Sequence, residues 1–224
     1  MNRIFFLVNR LAEFDFEEFL SKHMQECLFT IGESMPLHPE EFRLIVLWSY
    51  RKILREIPPT GNVILFHSSA LPVGKGWAPI YHAIADGYDF YTITGVFAAP
   101  EVDSGDIIVK ARFQIRSHYT ATILRSFDKE ISIMMIAAIL QRFRDSPIIG
   151  MPQSGIGSYN HRRMPKDNEI DTIKPFVELI PHLRACDRRS PAYFVHQGCK
   201  YFVEVFPERE AQFPDDLEIT FSGI

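Results

Sequence analysis

Short, largely apolar runs recur at close intervals along the first third of the chain, and this spacing is the strongest constraint on its fold. They occupy Ile4 to Val8, Cys27 to Ile31, Leu44 to Trp48 and Val63 to Phe66. Runs this short, with little polar alternation, are typical of strands buried on both faces of a parallel sheet. The segments between them have room for helices or crossover loops. The sequence therefore predicts an α/β, Rossmann-like domain with a mostly parallel sheet.

The middle of the chain continues this alternation. Residues 77 to 86 predict a helix that ends at Gly87, because glycine adopts a left-handed cap cheaply. Two strands are predicted at Phe90 to Ala98 and Asp106 to Ile115, joined by a polar turn. Asp128 to Phe143 is apolar nearly all round, which indicates a buried helix.

The last third of the chain differs in composition. Glycine and proline interrupt residues 146 to 158, which predicts a linker between a catalytic domain at 1 to 145 and a small β-rich subdomain at 159 to 224. Two runs in that subdomain, Ala192 to His196 and Lys200 to Phe206, predict a hairpin. Its apolar character suggests a contact for a second copy of the chain.

The charge and the cysteine content of the chain limit the kinds of partner and metal that it is expected to bind. Lys plus Arg is 24 against 28 for Asp plus Glu, so the net charge of −4 gives no electrostatic reason to bind nucleic acid or an anionic membrane. The amino-terminal run Ile4 to Val8 is shorter than a signal-peptide core, and the longest apolar run, Ile131 to Leu140, is about half a membrane span. Three widely spaced cysteines without a CxxC pair support neither a disulfide framework nor a zinc site. We therefore expect a cytoplasmic protein without a metal.

Two segments carry the candidate chemistry, since the glycine-rich nucleotide motifs, HExxH and GxSxG are all absent. His67 ends an apolar strand and precedes a loop rich in proline and glycine, and ligands of open α/β sheets bind beyond such strand ends. Asp103 lies in an Asp-Ser-Gly turn between two other strands. Taken singly, the histidine is equally explained by bonds to loop backbone, and the turn by turn formation alone.

Taken together, these segments resemble the folate-dependent formyltransferases, a family that includes glycinamide ribonucleotide, methionyl-tRNA and sugar-nucleotide N-formyltransferases. The family pattern is Asn-x-His-x-Ser-x-Leu-Pro with a following glycine, and then Asp-x-Gly-x-Ile. This chain matches it at His67, Ser69, Leu71, Pro72, Gly76, Asp103, Gly105 and Ile107. The likeness covers roughly residues 44 to 125. Looser patterns in the tail, from Tyr159 to Asp171 and from Leu183 to Phe194, look like the sugar-nucleotide enzymes.

The resemblance implies a set of site residues. His67 and Asp103 would be catalytic, with the carboxylate stabilising the protonated imidazole. The folate would be bound by Tyr50, Arg51, Lys52, Ile53, Leu54, Ala99, Glu101, Val102 and Asp103. Ser69, Lys75 and Trp77 would contact the other substrate, although Trp77 is equally explained by packing at the start of a helix. Compared with the family, the amino-terminal half looks shortened between Ile31 and Phe42.

One position departs from the family pattern. Leu65 stands where the family has the asparagine that donates to the developing oxyanion. Asn62 has an odd offset from Leu65 and so faces the other side of a regular strand. Ser69, Ser49, Thr94 or a backbone amide remain as donors. Three alternatives stay open: an enzyme with a rearranged oxyanion site, a slow enzyme, or a protein that binds folate or sugar without catalysis.

The function expected from the sequence is transfer of a formyl group from 10-formyltetrahydrofolate to the amine of a nucleotide-linked amino sugar. Such a product would serve the synthesis of a surface polysaccharide such as lipopolysaccharide or O-antigen. The alternatives are N-formylation of another small amine and the non-catalytic binding role. Methionyl-tRNA is disfavoured by the acidic balance and by the absence of a basic tail.

Overall fold

A large sheet forms the centre of the computed structural model, which describes residues 2–11, 17–52, 54, 56–59 and 62–223. The strands are β1 (Asn2–Leu7), β2 (Cys27–Gly32), β3 (Leu44–Leu47), β4 (Val63–His67), β5 (Lys75–Gly76), β6 (Phe90–Phe97), β7 (Ile107–Gln114), β8 (Tyr159–Asn160), β9 (Ala192–His196), β10 (Cys199–Val203) and β11 (Glu218–Phe221). The helices are α1 (Glu17–His23), α2 (Pro79–Ala85), α3 (Ala121–Arg142) and α4 (Phe176–Ala185).

The large sheet has seven strands in the order β2-β1-β3-β4-β6-β7-β11. The first four are mutually parallel, and β6, β7 and β11 extend the sheet by antiparallel pairing. Because β7 is antiparallel to β6 and β6 to β4, five of these seven strands share one direction. The predicted α/β class with a mostly parallel core is therefore confirmed.

Alternate residues of β1 pack on opposite faces of the sheet, as strand geometry requires. Ile4 and Phe6 join the larger core, which includes α3. Phe5 and Leu7 face a smaller cluster covered by residues from loops. Between β2 and β3 the chain forms only a 3-10 turn at Pro39–Glu41, so this crossover is short.

Helix α3 begins seven residues before the predicted start at Asp128, so that boundary was wrong. The hydroxyl of Thr120 caps the helix by accepting the amide of Ile123 at 3.4 Å. The prediction missed this first part because Arg125 and Asp128 interrupt the apolar pattern. The end at Arg142 agrees with the prediction within one residue.

The carboxyl-terminal third returns to the large sheet twice. In the predicted linker, Met151 forms a backbone bridge with Ile107, and β8 then pairs with β5 in parallel. The predicted hairpin is present as β9 and β10. Strand β11 pairs with β7, so it packs with the large sheet and not with the hairpin. None of the described helices has both the length and the apolar character needed to cross a membrane.

Candidate functional site

His67 is buried at the carboxyl end of β4, held between two oxygen atoms. Its Nδ1 lies 3.4 Å from Oδ2 of Asp103, and its Nε2 lies 2.8 Å from the carbonyl oxygen of Gly74. The carbonyl oxygen can only accept, so Nε2 donates to it, and Nδ1 is left facing the Asp103 carboxylate, where it can take a proton. The predicted pairing of His67 with Asp103 is thus present in the structure.

The turn that carries Asp103 is tightly constrained. Asp103 has a left-handed φ of +52°, and its Oδ2 accepts the amide of Gly76 at 2.9 Å. The side-chain amide of Gln153 donates to the carbonyls of Asp103 and Gly105 at 2.7 and 2.9 Å. A Cβ on Gly105 would lie 1.8 Å from the carbonyl oxygen of Phe97, so only glycine fits there. Gln153 holds the aspartate turn, and sequence reasoning missed it.

His67 and Asp103 line a cavity of about 680 Å³, a size that suits a small-molecule ligand. One wall consists of the loop after β3 and the turn after β6, and we call it the loop wall. Asn9, which follows β1, holds this loop: its side-chain amide donates to the carbonyl of Ser49 at 2.7 Å, and its side-chain oxygen accepts the amide of Arg51 at 2.9 Å. The loop wall includes these predicted folate-binding residues: Tyr50, Arg51, Lys52, Leu54, Ala99, Glu101, Val102 and Asp103. Ile53, predicted with them, lies outside the described residues.

The opposite wall brings together α3, the start of α2 and the carboxyl-terminal third, and we call it the charged wall. It contains Trp77, Arg125, Asp128, Tyr159, Arg163, Asp187, Arg189 and Ser190. Of the three predicted contacts to the second substrate, only Trp77 lines the cavity. The Ser69 hydroxyl instead donates to the carbonyl of Val73 at 2.8 Å, and Lys75 pairs through its backbone with β8. Their role in binding substrate stays a prediction.

An ion pair organises the charged wall. Arg125 donates to Oδ2 of Asp187 from Nη2 at 2.6 Å and from Nε at 3.2 Å. The other oxygen of Asp187 accepts the amides of Arg189 and Ser190 at 2.9 and 3.2 Å. Sequence reasoning did not find these residues. The available signal was the three-residue spacing of Arg125 and Asp128, which puts two charged side chains on one face of α3.

Leu65 occupies an apolar environment beside His67. It packs against the cluster of Leu71, Val96 and Ile107 and also lines the cavity. Two of the suggested alternative donors are already engaged, because the Thr94 hydroxyl donates to the carbonyl of Ser69 and the Ser69 hydroxyl to that of Val73. The Asn62 amide donates to the carbonyl of Arg43. Ser49 lines the cavity at a left-handed φ of +47°.

No group of three or more His, Cys, Asp or Glu side chains within the described ranges is arranged to hold a metal ion.

The fold of the domain is shared with solved formyltransferase structures. Residues 35–139 match the model of the family described as formyl transferase. This match extends over just under half of the chain.

Known proteins resemble the chain in sequence and in fold. The methionyl-tRNA formyltransferase of Carboxydothermus hydrogenoformans is 31% identical over 173 residues, covering 75% of this chain and 55% of that protein. This chain thus spans about half the length of that relative.

Two solved structures share the fold. HypX from Aquifex aeolicus in complex with tetrahydrofolic acid has a TM-score of 0.74 at 19% identity, covering 95% of this chain and 40% of that one. A sugar N-formyltransferase from a Shewanella species has a TM-score of 0.67 at 16% identity, covering 94% of this chain and 100% of that one.

Proposed function

We propose that the protein transfers a formyl group from 10-formyltetrahydrofolate to the amine of a nucleotide-linked amino sugar. The observation that carries the proposal is the His67–Asp103 pair, which lies in one cavity between the loop wall and the charged wall. Formyl transfer requires the amine and the formyl donor to bind side by side next to a proton-transfer group. In this cavity His67 is the candidate for that group.

The loop wall suits a folate ring system. Leu47, Leu54 and Ile57 give it an apolar surface, while the Asn9 contacts hold the loop backbone in place. A heterocycle with a flat apolar face and polar edges needs this combination of apolar side chains and fixed polar groups. When bound, 10-formyltetrahydrofolate supplies the formyl carbon that the amine attacks. HypX, which shares the fold, was solved with tetrahydrofolic acid.

His67 and Asp103 have different roles in proton transfer. As the amine attacks, it becomes more acidic, and a ring nitrogen of His67 takes the released proton. The carboxylate of Asp103 stabilises the resulting imidazolium and keeps the ring oriented through Nδ1. Gln153 and the Gly76 amide in turn hold Asp103.

The charged wall suits a nucleotide-linked sugar. Arg125, Arg163 and Arg189 bring guanidinium groups to the cavity, and such groups match phosphate oxygens. The exposed rings of Trp77 and Tyr159 offer faces on which a base or sugar can stack. We place the enzyme in the cytoplasm, where its product would serve surface polysaccharide synthesis, including lipopolysaccharide or O-antigen.

The proposal is tested by incubating the protein with 10-formyltetrahydrofolate and a panel of nucleotide-linked amino sugars. Mass spectrometry should detect a sugar that has gained one formyl group. Formyl-methionyl-tRNA formation is measured in parallel, because a relative at 31% identity is a methionyl-tRNA formyltransferase. Formylation of another small amine or of the tRNA alone would replace the proposed substrate. Tight folate binding without any transfer would instead support the non-catalytic role.

Leu65→Asn should preserve the rate of formyl transfer or raise it by up to about 100-fold, because it adds a side-chain donor on the same face of β4 as His67. The measurement is kcat on the accepted amine. Leu65→Ala is the matched control, since it removes the same packing against Leu71 and Val96 without adding a donor. A kcat for Leu65→Asn below that of Leu65→Ala would contradict an oxyanion position at residue 65.

We also propose that two copies of the chain associate through the β9–β10 hairpin. Val195 and Phe202 are exposed on one face of this hairpin, and neighbouring exposed apolar side chains are typical of contact surfaces. Light scattering should give twice the chain mass for the wild type, and Phe202→Asp should shift it towards the monomer. A monomer at every concentration of the wild-type protein would refute the association.

A further inference from the structure

We propose that Asp128 binds the acceptor amine as an ammonium ion in the cavity and takes its first proton. This inference rests on the proposed function and assigns a part of the charged wall that His67 and Asp103 leave unexplained. It concerns the state in which an amine arrives, because most alkyl amines are protonated at neutral pH and then have no lone pair for attack.

The position of Asp128 is unusual for a carboxylate. It lies in the first half of α3, between the buried residues Phe127 and Ile131. Protein surrounds its carboxyl group, yet the side chain also lines the cavity that contains His67. An ionisable group placed in a core helix and open to a cavity indicates a functional site.

The hydrogen-bond partners of Asp128 are hydroxyl groups. Tyr91 donates to its Oδ2 at 2.6 Å, and the Ser68 hydroxyl also bonds to the carboxyl. Burial raises the pKa of Tyr91 well above its usual range, so this hydroxyl keeps its proton and acts as the donor. The two hydroxyl groups orient the carboxylate, but because they are uncharged they do not neutralise it. The carboxylate can therefore still attract a cation.

The other carboxylates described around the cavity are engaged differently. Asp187 forms the ion pair with Arg125 and accepts two backbone amides. Asp103 is paired with His67 and the Gly76 amide. Glu101 is exposed on the turn of the loop wall. Asp128 therefore combines a half-buried carboxylate, hydroxyl groups as hydrogen-bond donors and contact with the cavity.

Electrostatics agree with this geometry. Burial raises the pKa of the Asp128 carboxyl, and the bonds from Tyr91 and Ser68 and the charges of Arg125 and His67 only partly oppose the effect. A carboxylate with a raised pKa is a stronger base and gains more from a nearby cation than a solvated one does.

The proton step is balanced within the two groups. One N–H bond of the ammonium ion breaks, its electron pair stays on nitrogen as the lone pair, and the proton forms an O–H bond with Asp128. The amine is then neutral, and the carboxyl returns the proton to water in the cavity. The second amine proton leaves during attack and goes to His67.

The first test is a titration of the full-length protein followed by 13C NMR of labelled aspartate carboxyl groups. Asp128→Asn assigns the Asp128 signal by its disappearance. Methylammonium chloride is the probe, and tetramethylammonium chloride at equal concentration is the control, because it has the charge but no N–H donor. Methylammonium should lower the pKa of Asp128 by about 1 relative to the control. Equal titrations in the two salts would overturn the proposal.

The second test separates this inference from the proposed function. Asp128→Asn keeps an oxygen that can accept from Tyr91 but removes the charge, so KM for the accepted amine should rise about tenfold or more while the folate Kd stays constant. Asp145→Asn, an exposed position beyond the end of α3, is the matched control. Wild-type transfer with an unchanged KM in Asp128→Asn would overturn the role of Asp128 alone. A positive methylammonium titration without transfer to any amine would overturn the proposed function alone.

Discussion

His67→Ala is expected to abolish formyl transfer, with kcat falling by at least about 10²- to 10⁴-fold, the usual contribution of a positioned proton-transfer group. The substitution removes the ring that lies between Asp103 and the Gly74 carbonyl. Asp103 then has no imidazole through which to act on the amine. Single-turnover kinetics with excess enzyme measure the loss directly, because they exclude product release from the rate.

Binding provides the control for this variant. The loop wall does not depend on the imidazole, so the folate Kd of His67→Ala should stay within a few-fold of the wild type. His67→Asn is the companion variant, since it retains a polar group of smaller size but moves no proton at neutral pH. Full turnover by either variant would exclude His67 as the group that takes the amine proton.

Gly105→Ala is expected to lower the free energy of unfolding by about 2–4 kcal/mol, in the range of severe steric substitutions. The added Cβ would meet the carbonyl oxygen of Phe97 at 1.8 Å and its carbonyl carbon at 2.8 Å. Both atoms belong to the backbone of β6, so rotation of a side chain does not relieve the overlap. The turn has to move, and Asp103 moves with it. Urea denaturation measures the loss of stability.

Gly87→Ala is the matched control for this prediction. A Cβ at Gly87 meets nothing within 4 Å, but its φ of +71° is left-handed. Its cost is therefore conformational alone, about 1–2 kcal/mol, and formyl transfer should continue. If Gly105→Ala were as stable as the wild type, the predicted overlap between its Cβ and the Phe97 carbonyl would be wrong.

Much of the sheet was predictable because its strands are encoded locally. The continuous apolar runs of β1 and β3 are largely buried on both faces, as at Leu44–Leu47, and this pattern needs no distant information. The run at β2 forms a strand too, but it lies at the edge of the sheet and is mostly exposed. The positions of His67 and Asp103 were predictable for a similar reason. His67 ends such a run and Asp103 lies in a short polar turn, so each position follows from its neighbours in sequence.

The resemblance to a family did not predict the orientation of every side chain. Ser69 matched the family motif but its hydroxyl bonds within its own loop, and Lys75 aligns its backbone with Tyr159. Loop side chains take directions set by the backbone turn and by the segment packed against it, and neither is visible in a motif. The early start of α3 was missed because polar residues at Arg125 and Asp128 broke an apolar pattern for a reason that only the cavity explains.

The sequence by itself determined the α/β sheet, the strand end that carries His67 and the turn that carries Asp103, since each depends on contiguous residues. Only the tertiary structure decided what surrounds them. Gln153 lies 50 residues from the turn that it holds, and Asp187 lies 62 residues from its partner Arg125. These polar groups come together because the chain returns to the sheet after α3, and no local pattern records which side chains such a return brings into contact.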